Sequence, residues 1–325
     1  MKLLFDYDTK NGDLEIHELI GHIDKDIDFK KLKSDIISAT KELIRVIGQP
    51  VYDSVVTTYE SGSLTDDQKD LLYNTRYPIA LDAFRHHIKS SDVTHGNNGR
   101  KMRVDDHEKQ AFEWLLDRDN ENLERKYYKA FDELIQYLDE NNTLWKSSTA
   151  FQESQKYFVR TTADFDPYYP INSRLLLLKL QPAFRQCEKR QIMSRLPEGK
   201  YDSIKTKLKA ATALDADESL LVDLIKEACV FHALAWGMRV LRVTLFPEGV
   251  LQNFTSDRTT TKGRLPSVKL ETELAAQEFE KRSKEVLQEL ESLVTTQNGE
   301  NTAEDIDCMS NPTYTFDDDD SFVSL

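Results

Sequence analysis

The stretch Leu220–Val243 reads LLVDLIKEACVFHALAWGMRVLRV. Apolar residues recur there at steps of three and four, from Leu220, Leu221 and Leu224 through Ala228, Phe231 and Ala235 to Met238 and Leu241. That spacing is the stripe of an α-helix. Val222, Ile225, Val230 and Leu234 widen the stripe almost around the cylinder, which predicts a buried central helix rather than a surface one. Val243-Thr-Leu-Phe246, Pro247-Glu-Gly249 and the β-prone run after it then predict a hairpin.

Earlier residues carry similar patterns. Residues 1–27 read as an irregular polar arm, in which Leu3–Phe5 and Leu14–Ile16 suit short strands or docking segments, with an Asn11-Gly12 turn signal between them. Asp28 suits an N-cap. Phe29, Leu32, Ile36, Ala39, Leu43 and Ile47 follow at helical spacing, and Gly48 with Pro50 stops the helix. A short helix over 51–59 comes next. Thr65 with Gln68 forms a capping-box signature for a third helix, in which Pro78 predicts a kink. Asn98-Gly99 predicts a hairpin turn within 92–104, and 106–141 reads as one long amphipathic stretch. In the connector 143–172, Trp145–Ser148 reads as a polar break and 161–172 as extended chain, because residues before proline avoid the α region. Ser173 then caps a helix with a Leu177, Leu180, Phe184, Cys187, Ile192 stripe.

The second half replays the first. Phe29, Leu32 and Ile36 pair with Leu177, Leu180 and Phe184 at an offset of 148. Tyr52-Asp-Ser-Val pairs with Tyr201-Asp-Ser-Ile at 149, and Leu71-Leu72 with Leu220-Leu221 also at 149. Val93-Thr94 pairs with Val243-Thr244, and Gly99 with Gly249, at 150. Small turn insertions account for a drift of one residue per loop, and the copies are expected to diverge after the hairpin. The expected fold is mainly α, with two tandem helical-bundle domains that each carry a short β-hairpin and are related by duplication. The expected segments are an N-terminal arm 1–27, a first bundle 28–142, a linker 143–172, a second bundle 173–296 and an acidic tail 297–325. A unit of this length is a tandem domain, since solenoid repeats are shorter.

Composition narrows the chemistry. The chain has 325 residues, 39% hydrophobic and 31% charged, with few Gly and Pro, as in a helical protein with long solvated faces. No apolar run approaches the ~18–20 residues that span a bilayer, and the N-terminus lacks a signal-peptide pattern. Cys187, Cys229 and Cys308 are far apart and fit no zinc spacing; they read as small buried hydrophobes in a reducing compartment. Net charge is −14, with eight acids and no Lys or Arg over 300–325, which argues against a grip on nucleic-acid phosphates. No P-loop, GxGxxG, GxSxG, HExxH or EF-hand pattern occurs. Adjacent His86 and His87 point apart on a helix, His95 and His107 suit exposed loops, and His232 suits a satisfied core or interface position. No enzyme activity, cofactor or metal is therefore expected. The candidate interaction residues are Asn98, Gly99, Arg100, Lys101 and Arg103 on the first hairpin and Glu248 and Gly249 on the second. Asp317, Asp318, Asp319 and Asp320 join them, followed by Phe322 in the tail. A run of acids flanked by aromatics at a terminus does not fold alone.

The order helix, short helix, long helix, hairpin, final helix resembles the small head-to-tail connector (adaptor) proteins of tailed bacteriophages. The doubled form, with a Trp/Phe-bearing connector at Leu144-Trp145 and Ala163-Asp-Phe165, is similar to the neck ring proteins of crAss-like phages. That resemblance covers about 28–295 and rests on apolar spacing. It implies a virion protein that forms a ring, of twelve copies if it follows the portal's symmetry. Such a ring docks on the portal and on other neck or tail proteins, and passes DNA non-specifically. A negative channel wall repels DNA during passage. The alternative is a non-enzymatic helical interaction scaffold whose acidic tail binds a partner.

Overall fold

The structure, a computed structural model, describes residues 1–6, 11–21, 23, 29–62, 64–96, 99–101, 112–241, 244–246, 249–251 and 269–297. Among them, helix α1 is Asn11–Ile20, α2 is Phe29–Ile47, α3 is Gln49–Glu60 and α4 is Asp66–Ser91. A hairpin of β1 (Thr94–Gly96) and β2 (Gly99–Lys101) precedes α5 (Glu113–Asn141). Three short helices follow: α6 (Thr143–Lys146), α7 (Thr149–Ser154) and α8 (Thr162–Phe165). Helix α9 (Arg174–Cys187) runs into a π-turn over Glu188–Ile192, then come α10 (Lys200–Lys209) and α11 (Ala216–Val240). A second hairpin, β3 (Thr244–Phe246) with β4 (Gly249–Leu251), leads to α12 (Lys269–Gln297). The protein is mainly helical, a helical module used twice.

Equivalent signals build each copy. Gly48 (φ 82) and Gly199 (φ 77) break the chain before α3 and α10, a left-handed backbone that glycine adopts without a Cβ clash. Thr65 with Gln68, and Asp215 with Glu218, form reciprocal capping boxes that open α4 and α11. Helix α4 packs against α2 and α5, and α11 packs against α9 and α12. Each long helix therefore buries its apolar faces between the first and last helices of its own copy. The buried apolar side chains fall into two clusters, one from Leu4 to Phe151 and one from Phe158 to Val294. Burial of such side chains is the main favourable term, at about 1.5–3 kcal/mol for each large one.

The two copies slip against each other for a local reason. Leu32, Ile36, Ala39 and Thr40 are buried, as are Leu180, Phe184, Cys187 and Glu188, each 148 residues later. Beyond that point the buried pairs are Leu43 with Ile192, Ile47 with Leu196 and Val55 with Ile204, at 149. The extra residue is inside the helix. Met193 N–H donates to the Glu188 carbonyl at 3.0 Å, five residues back, and a π-turn absorbs one residue without disturbing the apolar phase on either side. The drift at this point is thus a helical insertion, where the sequence suggested a loop. The next extra residue does lie in a loop, 210–215 against 61–65, where Ala211 takes φ 51. From the caps onward the offset is 150, not the 149 that matching Leu71-Leu72 to Leu220-Leu221 gives. All four strands share it, Thr94 with Thr244 and Gly99 with Gly249. The last helices are both 29 residues long, and Ala130, Phe131, Leu134 and Leu138 are buried like Val286, Leu287, Leu290 and Val294. The helices after the hairpins thus correspond; what differs is the connection that leads to them.

Other expectations are corrected by tertiary packing. Residues 11–20 are a helix instead of a strand, and Leu4, Phe5, Ile16 and Ile20 join the first core. Gly99 pairs with Gly96 as the first residue of β2, so it is a strand residue and not part of the turn that Asn98-Gly99 predicts. Trp145 is fully buried and its indole N–H donates to Asp139 Oδ1 at 2.8 Å, so that stretch is an anchor and not a polar break. Residues 162–165 are a helical turn instead of extended chain, because Asp164 caps it by accepting from Thr161 N–H at 3.2 Å. Asp28 lies outside the described residues.

Candidate interaction surfaces

The polar side chains that matter most for architecture join the two copies. Asp132 of α5 is buried and accepts from the Arg174 guanidinium at the start of α9. It also accepts from the Thr162 hydroxyl, from Thr162 N–H at 3.1 Å and from Gln136 Nε2 at 3.2 Å. Nearby, Arg160 Nη2 meets Asp139 Oδ2 at 2.6 Å, and Lys226 Nζ meets Asp164 Oδ1 at 2.6 Å. Burial alone would raise the Asp164 carboxyl, but the Lys226 ammonium and the Arg160 N–H outweigh it and hold the carboxyl below the usual range. Buried charges are tolerated when each is paired and hydrogen-bonded in this way.

A second buried pair fixes the linker to the π-turn. Glu188 accepts from Phe158 N–H at 2.9 Å and from the Tyr201 hydroxyl at 2.7 Å, with Lys205 Nζ at 3.2 Å. Lys205 also donates to the Lys156 carbonyl at 3.1 Å and sits 3.6 Å from the Phe158 ring centroid. Burial lowers the Lys205 pKa, and Glu188 opposes that shift. Cys187 and Cys229 are both buried; the hydrogen bond from Cys187 and then burial push the Cys229 thiol well up. That is the setting of an inert core thiol.

Exposed apolar side chains gather at the hairpin end of each copy. In the first copy they are Val93 after α4 and Phe112, Trp114 and Leu115 at the start of α5. In the second they are Val240 and Leu241 at the end of α11 and Leu270 and Leu274 at the start of α12. Trp114 and Leu270 occupy the same place, the second residue of their helices, at 46% and 67% exposure. Each hairpin is a two-stranded sheet of its own, and such a ribbon is marginal without further packing. The geometry places the hairpin candidates Gly99, Arg100, Lys101 and Gly249 on strands at these ends. Asn98, Arg103, Glu248, Asp317–Asp320 and Phe322, with His107 and Cys308, lie outside the described residues.

A groove of about 510 Å³ runs between the π-turn region, α11 and α12. Arg195 Nε stands 2.7 Å from Glu291 Oε1, and Arg239 Nη2 lies 3.0 Å from Glu273 Oε1 and 2.9 Å from Glu280 Oε2. His232 lines it, and its Nε2 is buried with no hydrogen-bond partner among the described residues. Burial lowers the His232 pKa, and Glu280 opposes that. A satisfied core histidine is not what the structure shows: the neighbours of His232 on α11 are apolar, and among the described residues nothing pairs with its Nε2, while its place in the groove leaves the interface position. Among the described residues no group of three His, Cys, Asp or Glu side chains is placed to hold a metal ion, and no helix is long and apolar enough to cross a membrane. Among the described residues, Arg195, Arg239 and Lys284 of the groove are paired with its Glu291 and Glu280, and Ser283, which lines it with His232, donates to the Ala228 carbonyl at 3.1 Å. The π-turn and the Asp132 seam escaped sequence reasoning. Their only trace was the change of offset from 148 to 149 and an Arg one residue past a helix cap.

A family of unknown function, DUF6712, matches the chain twice, over residues 43–155 and 194–299. The chain belongs to that family. The two matches cover both copies of the module, from within α2 to the linker and from just past the π-turn through α12. No curated protein and no solved structure matches the chain.

Proposed function

We propose that this DUF6712 protein is a structural subunit that associates with copies of itself into a ring, and that the ring is a head-to-tail connector of a tailed-phage virion. One observation carries the reading: the same exposed apolar, hairpin-bearing end occurs twice in one chain, with Trp114 and Leu270 in equivalent places. Clustered exposed apolar side chains mark interaction sites. A chain with two such ends and one fixed seam between them suits heterologous contact, which closes into a ring when the rotation per subunit allows it. Resemblance to connector proteins supplies the context: a neck ring of twelve copies docked on the portal, in contact with other neck or tail proteins, passing DNA without reading it. The acidic balance supports that last role.

The test is mass photometry of the purified chain against Trp114→Ser with Leu270→Ser. Association at micromolar concentration, lost in the double variant while helical circular dichroism is kept, is the expected result. A monomer at every concentration removes the reading. Under the second reading, an interaction scaffold with an acidic tail, removal of 300–325 abolishes the main binding; a ring assembles without it.

A further inference from the structure

We propose that the acidic C-terminal segment 316–322, Phe-Asp-Asp-Asp-Asp-Ser-Phe, docks in cis on the outer face of α9 and its π-turn. The observation behind it is independent of the hairpin ends. Helix α9 contains no acid, and the one acid of the π-turn, Glu188, is 3% exposed. Lys179, Arg185, Lys189 and Arg190 are all exposed on this element, and none of them makes an ion pair among the described residues. Arg185 and Lys189 stand four apart, where like charges repel. Other exposed cations meet an acid four residues away, as Arg125 meets Glu121, Arg282 Glu278 and Lys284 Glu280; this strip offers none. Met193, 44% exposed, adds an adaptable apolar contact at the end of the strip.

Charge and chain length select the occupant. Residues 173–297 hold 20 Lys and Arg against 17 Asp and Glu, while 1–142 hold 20 against 29 and 298–325 hold none against eight. The second module is thus the one basic stretch, and it directly precedes the most acidic one. The contact of Arg195 with Glu291 at 2.7 Å sets the end of the π-turn beside the last turns of α12, which ends at Gln297. Eighteen residues, 298–315, separate that end from Phe316. A flexible coil of that length spans about 25 Å, and tethering at that reach gives an effective concentration on the order of millimolar. Four carboxylates then meet four unpaired cations, with Phe316 or Phe322 on Met193. A nucleic acid would have to reach the same strip against the net −14 of the chain.

The test is zero-length carbodiimide cross-linking of the full chain, which joins a carboxylate to an amine as an amide and releases the urea, read by mass spectrometry. Links from 317–320 to Lys179 and Lys189 should exceed links to Lys126, Lys129 and Lys281 several-fold. They should fall at least fivefold in 0.5 M salt and in Arg185→Glu with Arg190→Glu, which keeps both lysines. In a mixture of ¹⁴N and ¹⁵N chains the links should stay within one isotope. Links spread evenly over the lysines, or formed between isotopes, overturn the proposal. So does a 20-bp DNA duplex that displaces the links at low salt, which would assign the strip to nucleic acid. Mass photometry of the same charge variant should show assembly unchanged, so failure here leaves the connector reading standing on its own test.

Discussion

Arg174, the first residue of α9, sets its guanidinium against the carboxylate of Asp132 in α5. The two side chains are 9% and 4% exposed. This pair lies at the junction of the two copies. It shares Asp132 with Thr162 of the linker, so three segments of chain converge on one carboxylate.

Removal of the cation alone should therefore be costly. Arg174→Met leaves a buried unpaired charge, and the loss expected is about 3–5 kcal/mol. Asp132→Asn together with Arg174→Met should recover part of it, because the amide still accepts from Thr162. Urea unfolding of the four members of the cycle measures the coupling. The single Arg174→Met variant should also split one transition into two, since the halves lose their shared anchor. Equal stability of Arg174→Met and the parent would refute the role given to the seam.

The π-turn gives a sharper expectation. Deletion of exposed Arg190 should restore the α-helical spacing found between Ala39 and Leu43 of α2, with Ile192 and Leu196 still buried. The melting temperature should change by no more than several degrees. Deletion of Lys41 in the regular helix α2 should rotate Leu43 and Ile47, both now buried, about 100° out of the core. The loss expected is about 1.5–3 kcal/mol for each. Calorimetry of the two deletions compares them directly; the reverse order of stability would contradict the insertion account.

Much of the architecture is legible in the chain because it is local. Helical stripes, the capping boxes at Thr65 and Asp215 and the glycines at 48 and 199 each act within a few residues, and the duplication follows from seeing them twice. The arm and the linker are misread for physical reasons: Leu4 packs into a core built from later helices, Thr162 is held by Asp132, 30 residues away, and the local signals of the linker, Asp164 capping at Thr161 and Asp139 accepting from Trp145, carry no apolar stripe. The π-turn hides because it keeps the apolar stripe in phase. Of the candidate contact residues, sequence places the hairpins at the right point in each copy but does not single out Trp114 and Leu270 beside them, whose exposure only the packed helices reveal.

Glu218 predicts an acid limb. Lys207, with Nζ 2.6 Å from Oε2, is the main cause that lowers its pKa to about 2; burial opposes, and Lys200 at 3.2 Å and the Asp215 N–H add to the lowering. A carboxyl lowered on folding contributes stability that is full above its unfolded pKa of ~4.3 and is lost as pH falls through the folded value. Glu218→Gln keeps the capping box but removes the charge. The variant should be less stable than the parent at pH 6, and the gap should close between about pH 4 and pH 2. Thermal unfolding across that range checks it; a gap that is constant with pH would show that the charge contributes nothing.

The most direct test of the central claim is negative-stain imaging of the purified chain, alone and mixed with portal protein. The account predicts closed rings, twelve-fold where portal is present, in which each subunit meets its neighbours through the hairpin-bearing ends. Isolated single subunits in both preparations, at concentrations where mass photometry also finds only monomer, would contradict it.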